Sequence, residues 1–171
     1  MLSKLVHSST GAVHITSALA AMLLGAAIIL MTKGTTTHKR VGYGYVAAMV
    51  LVNVTAFMIY HLFGRFGPFH IAAIVSGAGV IGGMVPVIFR HRIRGWYYYH
   101  YYFMNWSVVG MYAAFWAETL VRLFPMKQFW PVVAIATGLT AFIGSYLINR
   151  HKERFFGRMK KEPAVNNPSL A

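Results

Sequence analysis

The chain has 171 residues, of which 57% are hydrophobic and 11% are charged, and its mean hydropathy is +0.54. These values are typical of a membrane protein and exclude an ordinary soluble domain. A net charge of +13 would suggest nucleic-acid binding in a soluble protein. Here the basic residues lie between apolar segments, where they set membrane orientation, so we expect no nucleic-acid partner. The absence of cysteine excludes disulfides, thiolate iron–sulfur ligation and a cysteine nucleophile.

Five apolar segments follow one another, each close to the roughly 20 residues that a membrane-spanning helix needs. They predict an all-α, polytopic membrane protein with a four-helix core and one packing helix. We expect a single transmembrane domain, residues 1–149, followed by a basic tail, residues 150–171. The predicted spans are Gly11–Met31, Val41–Phe63, Phe69–Phe89, Tyr99–Phe124 and Trp130–Asn149.

Basic residues are concentrated in alternate connections and in the tail. The positive-inside rule then predicts an outside N-terminus and a cytoplasmic C-terminus. Within the tail, the basic stretch His151–Lys161 predicts attraction to anionic lipid. The polar, proline-containing stretch Glu162–Ala171 predicts disorder.

Four histidines lie at or near the start of different apolar segments: His14, His38, His70 and His100. Successive crossings begin on opposite faces of the membrane, so His14 and His70 should share the outer side, and His38 and His100 the inner side. The short sequence Gly-x-x-His-Ile occurs twice, at His14 and at His70, and suggests two similar helical hairpins. A symmetry axis relating these hairpins would bring His14 towards His70 and His38 towards His100. Histidine is costly in hydrocarbon and is the commonest metal ligand, so the pattern predicts a site.

Three candidate ligands are expected on the outer side of the membrane: His14, His70 and Glu118. Glu118 is the one acidic residue of the sequence that lies outside the tail. Two histidines and a carboxylate can bind a divalent transition metal with open positions. Alternatively, His14 and His70 are axial ligands of haem b, and Glu118 is a proton carrier or an acceptor behind the ligands. A third interpretation is that all three lie at the interface, where water satisfies them.

The inner layer offers His38 and His100 beside Lys39 and Arg40. A second haem would suit these residues, because lysine and arginine can hold its propionates. An anionic lipid head group would suit them too. The alternative is ordinary anchoring, since Trp96–Tyr102 has the composition of an aromatic interface belt.

The first four segments contain several specific short runs: His14 through Lys33-Gly34, His38–Gly42 and Tyr45 to Met49, then Gly67–His70, and then His100-Tyr101, Met104, Trp106-Ser107, Gly110 and Ala113-Ala114 to Glu118. On these residues the chain resembles an uncharacterised family of small bacterial membrane proteins, domain of unknown function 2306. The resemblance implies a multi-span helical bundle in a bacterial membrane and brings no established reaction. The paired histidines are also similar in layout, though not in motif or spacing, to di-haem b-type membrane cytochromes.

These features favour a multi-pass protein of the bacterial inner membrane with a histidine-lined haem or metal site, acting in electron transfer or as a redox-partner subunit. One alternative is a cofactor-free accessory subunit of a larger membrane complex. Another is a small transporter coupled to protons or metal ions. The sequence leaves open whether the protein is an enzyme, and whether it forms homo-oligomers. It contains no dinucleotide fingerprint, phosphate loop or nucleophile motif.

Overall fold

The computed structural model of the chain describes residues 8–60 and 63–161. Within these residues the fold is all-α, which confirms the predicted class and the predicted number of helices. A short 3₁₀ turn, Met126–Gln128, precedes the last helix. The five α-helices of the described residues are α1 (Ser9–Leu30), α2 (Thr36–Ala56), α3 (Pro68–Ile88), α4 (Trp96–Val121) and α5 (Phe129–Lys161).

Among the described residues, three stretches of helix are long and apolar enough to cross a membrane: Ser9–Leu30, Pro68–Ile88 and Met126–Lys152. Helices α2 and α4 have the length, with 21 and 26 residues. They are less apolar, because α2 opens with histidine, lysine and arginine and α4 opens with a run of tyrosines. The structure therefore supports a membrane protein, while five crossings and their orientation stay predictions.

Local capping explains where the helices begin. The Ser8 hydroxyl accepts a hydrogen bond from the Gly11 N–H at 3.0 Å and starts α1. Thr35 does the same for the His38 N–H at 3.1 Å. Because a side-chain oxygen satisfies an N–H group that the first turn leaves free, α2 begins ahead of the apolar residues, earlier than predicted from Val41.

The last helix is longer than the sequence suggested. It continues through Lys161, beyond the predicted membrane span, which ends at Asn149. Its extension packs on α4, where the Phe156 ring stacks on Tyr98 with centroids 4.1 Å apart and planes inclined by 12°. This aromatic contact stabilises helix beyond the apolar span. The predicted disorder of Glu162–Ala171 lies outside the described residues.

Helices α1 to α4 form a bundle, in which each packs against the next and α1 also contacts α4. Helix α5 packs on α4, as the predicted division into core and packing helix requires. Small residues permit close approach between helices. A Cβ atom added at Gly25 would lie 3.1 Å from Val108 and 3.2 Å from Tyr45.

Residues at steps of three or four along a helix share one face, and in the sequence these stripes predict the inward faces. The predicted inward residues include Ala18, Ala21 and Gly25 on α1, Tyr45 and Met49 on α2, His70, Ala73, Gly77, Ile81 and Met84 on α3, and Met104, Ser107 and Met111 on α4. Buried residues at the predicted positions include Ala21, Met49 and Met111 on three different helices. The face predicted for α3 was wrong at Ile81, whose side chain is 62% exposed, whereas Val80 is buried. His70 and Ala73 are buried at their predicted positions, and further along α3 the buried residues are Val80, Gly83 and Pro86.

Candidate functional site

The five histidine and glutamate candidates divide between the two ends of the bundle. Consecutive helices run in opposite directions, so α1 and α3 begin at one end and α2 and α4 begin at the other. We call these the α1/α3 end and the α2/α4 end. The first holds His14, His70 and Glu118, and the second holds His38 and His100.

At the α2/α4 end, His38 and His100 come together. Their ring centroids are 6.3 Å apart and their planes are perpendicular, at 89°. A hydrogen bond fixes the orientation of the His100 ring, because its Nδ1 lies 2.9 Å from the backbone oxygen of Gly83 on α3. A carbonyl only accepts, so Nδ1 carries the proton and the Nε2 of His100 keeps its lone pair. Metal-binding histidines are commonly oriented by such a backbone hydrogen bond.

Two of the polar atoms around this pair are buried and have no hydrogen-bond partner. They are Nδ1 of His38 and Nε1 of Trp96. Trp96 precedes His100 by one helical turn, so the two side chains lie on the same face of α4. In the described residues only one further buried side-chain atom is unpartnered. Unpartnered buried groups of this kind are rare in folded proteins, because each costs free energy.

Lys33 supplies a positive charge beside this pair. Its Nζ donates hydrogen bonds to the carbonyl oxygens of Ile28 and, at 2.9 Å, Ile29, and so ends α1. Burial lowers the pKa of Lys33. Burial, with the charges of Lys33 and His100, lowers the pKa of His38 to about 4. His38 precedes the apolar part of α2, and it is therefore neutral near pH 7, in the form that can bind a metal.

At the α1/α3 end, His14 is bonded to α2. Its Nδ1 lies 2.9 Å from the Thr55 hydroxyl oxygen. The hydroxyl proton of Thr55 is directed at the Leu51 carbonyl oxygen, 2.6 Å away. The Thr55 oxygen therefore accepts from Nδ1–H of His14, and the Nε2 of His14 keeps its lone pair.

Glu118 forms an ion pair with Arg122, four residues further along the chain. One carboxylate oxygen lies 3.2 Å from the Arg122 guanidinium, and both side chains are partly exposed. Both residues act electrostatically on His14. A shared site of Glu118 and His14 stays a prediction. The carboxylate of Glu118 is an ion-pair partner rather than a free ligand.

His70 differs chemically from the other histidines. It is 5% exposed, and its Nδ1 accepts a hydrogen bond from the Gly67 N–H at 3.1 Å. Neutral imidazole has one donor and one acceptor nitrogen, so the proton of His70 is on Nε2. In this state His70 presents an N–H group where a metal ligand would present a lone pair.

The two predicted histidine pairs thus have different outcomes. The structure brings His38 and His100 together, whereas no hydrogen bond or ring contact joins His14 to His70 among the described residues. The same residues contain no group of three or more histidine, aspartate or glutamate side chains arranged to hold a metal. The metal site of His14, His70 and Glu118 stays a prediction that this geometry does not favour.

Several of these partners were missed by sequence reasoning. Trp96 carried a usable signal, its position one turn before His100. Thr55 and Gly83 carried none, because each meets its histidine across a helix–helix contact that the sequence does not specify.

Comparison with known proteins gives no relative: no family model, curated protein or solved structure matches this chain. The resemblances to the uncharacterised bacterial family and to di-haem cytochromes therefore stay predictions.

Proposed function

We propose that this protein is an electron-transfer or redox-partner subunit of the bacterial inner membrane that binds a redox-active metal, as haem b or as a single ion, between His38 and His100. The observation that carries the proposal is the 6.3 Å separation of the two perpendicular rings. One nitrogen of each ring would hold the ion at about 2.0–2.1 Å, and with about 1 Å more to each ring centre the centroids would lie within roughly 6 Å of one another.

The surrounding residues fit such a group. The hydrogen bond from His100 to Gly83 fixes the ring and leaves Nε2 for the metal. Neutral His38 approaches from the opposite helix pair. The unpartnered Trp96 N–H suits an anionic oxygen, such as a haem carboxylate, and Lys33 adds positive charge on the same side.

The bound metal would supply reversible one-electron transfer, and the protein would tune it. Two neutral nitrogen ligands, a nearby ammonium and a mostly apolar bundle are the features that set the potential of such a centre. A positive charge beside the metal favours its reduced form, so Lys33 would raise the potential. We place this end of the bundle in the cytoplasmic half of the membrane, following the basic residues of the same connections.

The test is the cofactor content of the purified protein. The full chain is produced with haem and transition metals available and is extracted in mild detergent. Absorption spectra are recorded in the oxidised and reduced states, with elemental analysis on the same sample. We expect a stoichiometric metal in the wild type and its loss in His38→Ala and His100→Ala. His151→Ala, on the exposed flank of α5, is the matched control and keeps the metal.

A folded wild-type protein that contains neither metal nor a Soret band would overturn the proposal. Stoichiometric co-purification with other membrane subunits would then favour the cofactor-free accessory role. Loss of the metal in His14→Ala or His70→Ala, with retention in His38→Ala, would move the cofactor to the α1/α3 end. The transporter hypothesis gains no support from Glu118, because Arg122 neutralises it.

A further inference from the structure

His70 carries a buried N–H group with no acceptor. Its Nδ1 is occupied by the Gly67 N–H, so the proton is on Nε2, and that atom is buried without a hydrogen-bond partner. The residue as a whole is 5% exposed. A donor removed from water in this way costs free energy that an acceptor would recover.

Aromatic rings frame the imidazole. Phe66 stacks on it with centroids 4.9 Å apart, and Tyr60 lies 4.6 Å away at an inclination of 34°. No ring contact joins Phe66 to Tyr60 among the described residues, which indicates that they cover opposite faces of the imidazole. Phe57 approaches at 6.2 Å. All three rings are also partly exposed, by 52% for Phe66, 44% for Tyr60 and 38% for Phe57, at the edge of the bundle.

A water molecule is a poor partner for this donor. An ordered buried water needs two to four polar partners. Within the described residues the rings in contact with His70 offer the Tyr60 hydroxyl as their one polar group. The acceptor that fits is a carbonyl oxygen on an uncharged, apolar molecule. A flat ring suits the framing aromatics, because stacked rings attract one another beyond their apolar burial.

We propose that His70 donates its Nε2–H to a carbonyl oxygen of a membrane-soluble quinone held among Phe57, Tyr60 and Phe66. An ester carbonyl of a phospholipid offers the same acceptor chemistry but no ring, and the aromatic frame favours the quinone. The site lies at the α1/α3 end, opposite the His38–His100 pair, and it rests on different residues. It does not depend on the metal proposed there.

The experiment measures binding of decyl-ubiquinone to the full-length protein in detergent by titration calorimetry, with empty micelles as the blank. His70→Asn is the key variant, because its side-chain oxygen takes the place of Nδ1 in capping Gly67 while the Nε2–H is lost. We expect affinity to fall at least about tenfold. Phe66→Leu should weaken binding several-fold, whereas Phe142→Leu, 74% exposed on α5, should not.

A competition experiment distinguishes a quinone carbonyl from the ester carbonyl of a phospholipid. If dihexanoylphosphatidylcholine displaces the quinone at equal concentration, the site accepts lipid esters and the quinone assignment is overturned. Absent quinone binding to the wild type, or unchanged binding to a folded His70→Asn protein, overturns the whole inference. Metal content is recorded on the same samples. We expect His38→Ala to lose metal and keep quinone binding, so the two proposals fail separately.

Discussion

Tyr45 on α2 donates its hydroxyl hydrogen bond to Ser107 on α4 across 2.8 Å, between the two ends of the bundle. Ser107 in turn donates to the Met104 carbonyl oxygen at 2.9 Å. Tyr45 is completely buried and Ser107 is 5% exposed. The bond therefore joins the hairpin of α1 and α2 to the hairpin of α3 and α4, and it holds in register the helices that carry His38 and His100.

Tyr45→Phe should lower the free energy of unfolding by about 1 kcal/mol, because the hydrogen bond is lost and the ring is kept. Tyr43→Phe is the matched control on the same helix, since Tyr43 is 62% exposed. The measurement is unfolding of both variants in detergent, followed by helical circular dichroism. An equal fall in the free energy of unfolding of the two variants would show that the hydrogen bond from Tyr45 to Ser107 is not its cause.

Gly25→Leu should destabilise the bundle by roughly 1–3 kcal/mol, because even a Cβ atom there lies 3.1 Å from Val108 and 3.2 Å from Tyr45. Gly77→Leu makes the same change on α3 at a position where an added Cβ meets nothing within 4 Å. Thermal unfolding in the same detergent compares them. A milder effect at Gly25 than at Gly77 would contradict the packing of α1 on α4.

Lowering the pH should lower the free energy of unfolding, because His38 is held neutral in the folded state. Its pKa in the folded state is about 4 and its ordinary value is 6.5. Between these two pH values His38 is protonated in the unfolded chain and neutral in the folded chain. The contribution of neutral His38 to the stability of the fold is therefore present above about pH 6.5 and is lost as the pH falls towards 4. We expect the unfolding midpoint of the wild type to fall more steeply over this range than that of His38→Gln.

The control for that titration is His151→Gln, which changes an exposed histidine on α5 and should follow the wild type. Parallel curves for the wild type and His38→Gln would show that His38 is not held neutral by the fold.

Glu118→Gln should leave the metal content and absorption spectrum of the protein unchanged, because the proposed metal lies at the other end of the bundle. It removes the 3.2 Å ion pair with Arg122, which is partly exposed and worth about 0–1 kcal/mol. Elemental analysis and spectra of the variant provide the test. A fall in bound metal of about tenfold or more would instead support a metal site with Glu118 as ligand.

The predicted orientation is testable with reporters. Alkaline phosphatase, which is active only outside the cytoplasm, should be inactive when fused after Ala171 and active when inserted after Arg65. Green fluorescent protein should show the reverse pattern. Activity of the phosphatase at the C-terminus would reject the inside location of the tail.

The sequence by itself determined the helical class, the number of helices and the end of the bundle at which each histidine lies. Apolar segments of spanning length separated by short polar connections permit few other arrangements. The burial of Ala21, Met49 and Met111 also followed from helical spacing, because one face of each helix must pack against its neighbours. The exposure of Ile81 on α3 did not follow, because its neighbour Val80 is equally apolar and the sequence does not decide which of the two faces the bundle.

Only the tertiary structure decided what each histidine does. The partners Gly83, Thr55 and Gly67 distinguish the three imidazoles, since each fixes the ring nitrogen that carries the proton. Gly67 is close to its histidine in sequence, but the direction of the ring depends on the aromatic packing around it. The other two contacts cross between helices. Residue type and spacing fix which groups reach one end of a bundle, whereas donor and acceptor roles depend on interatomic distances set by packing.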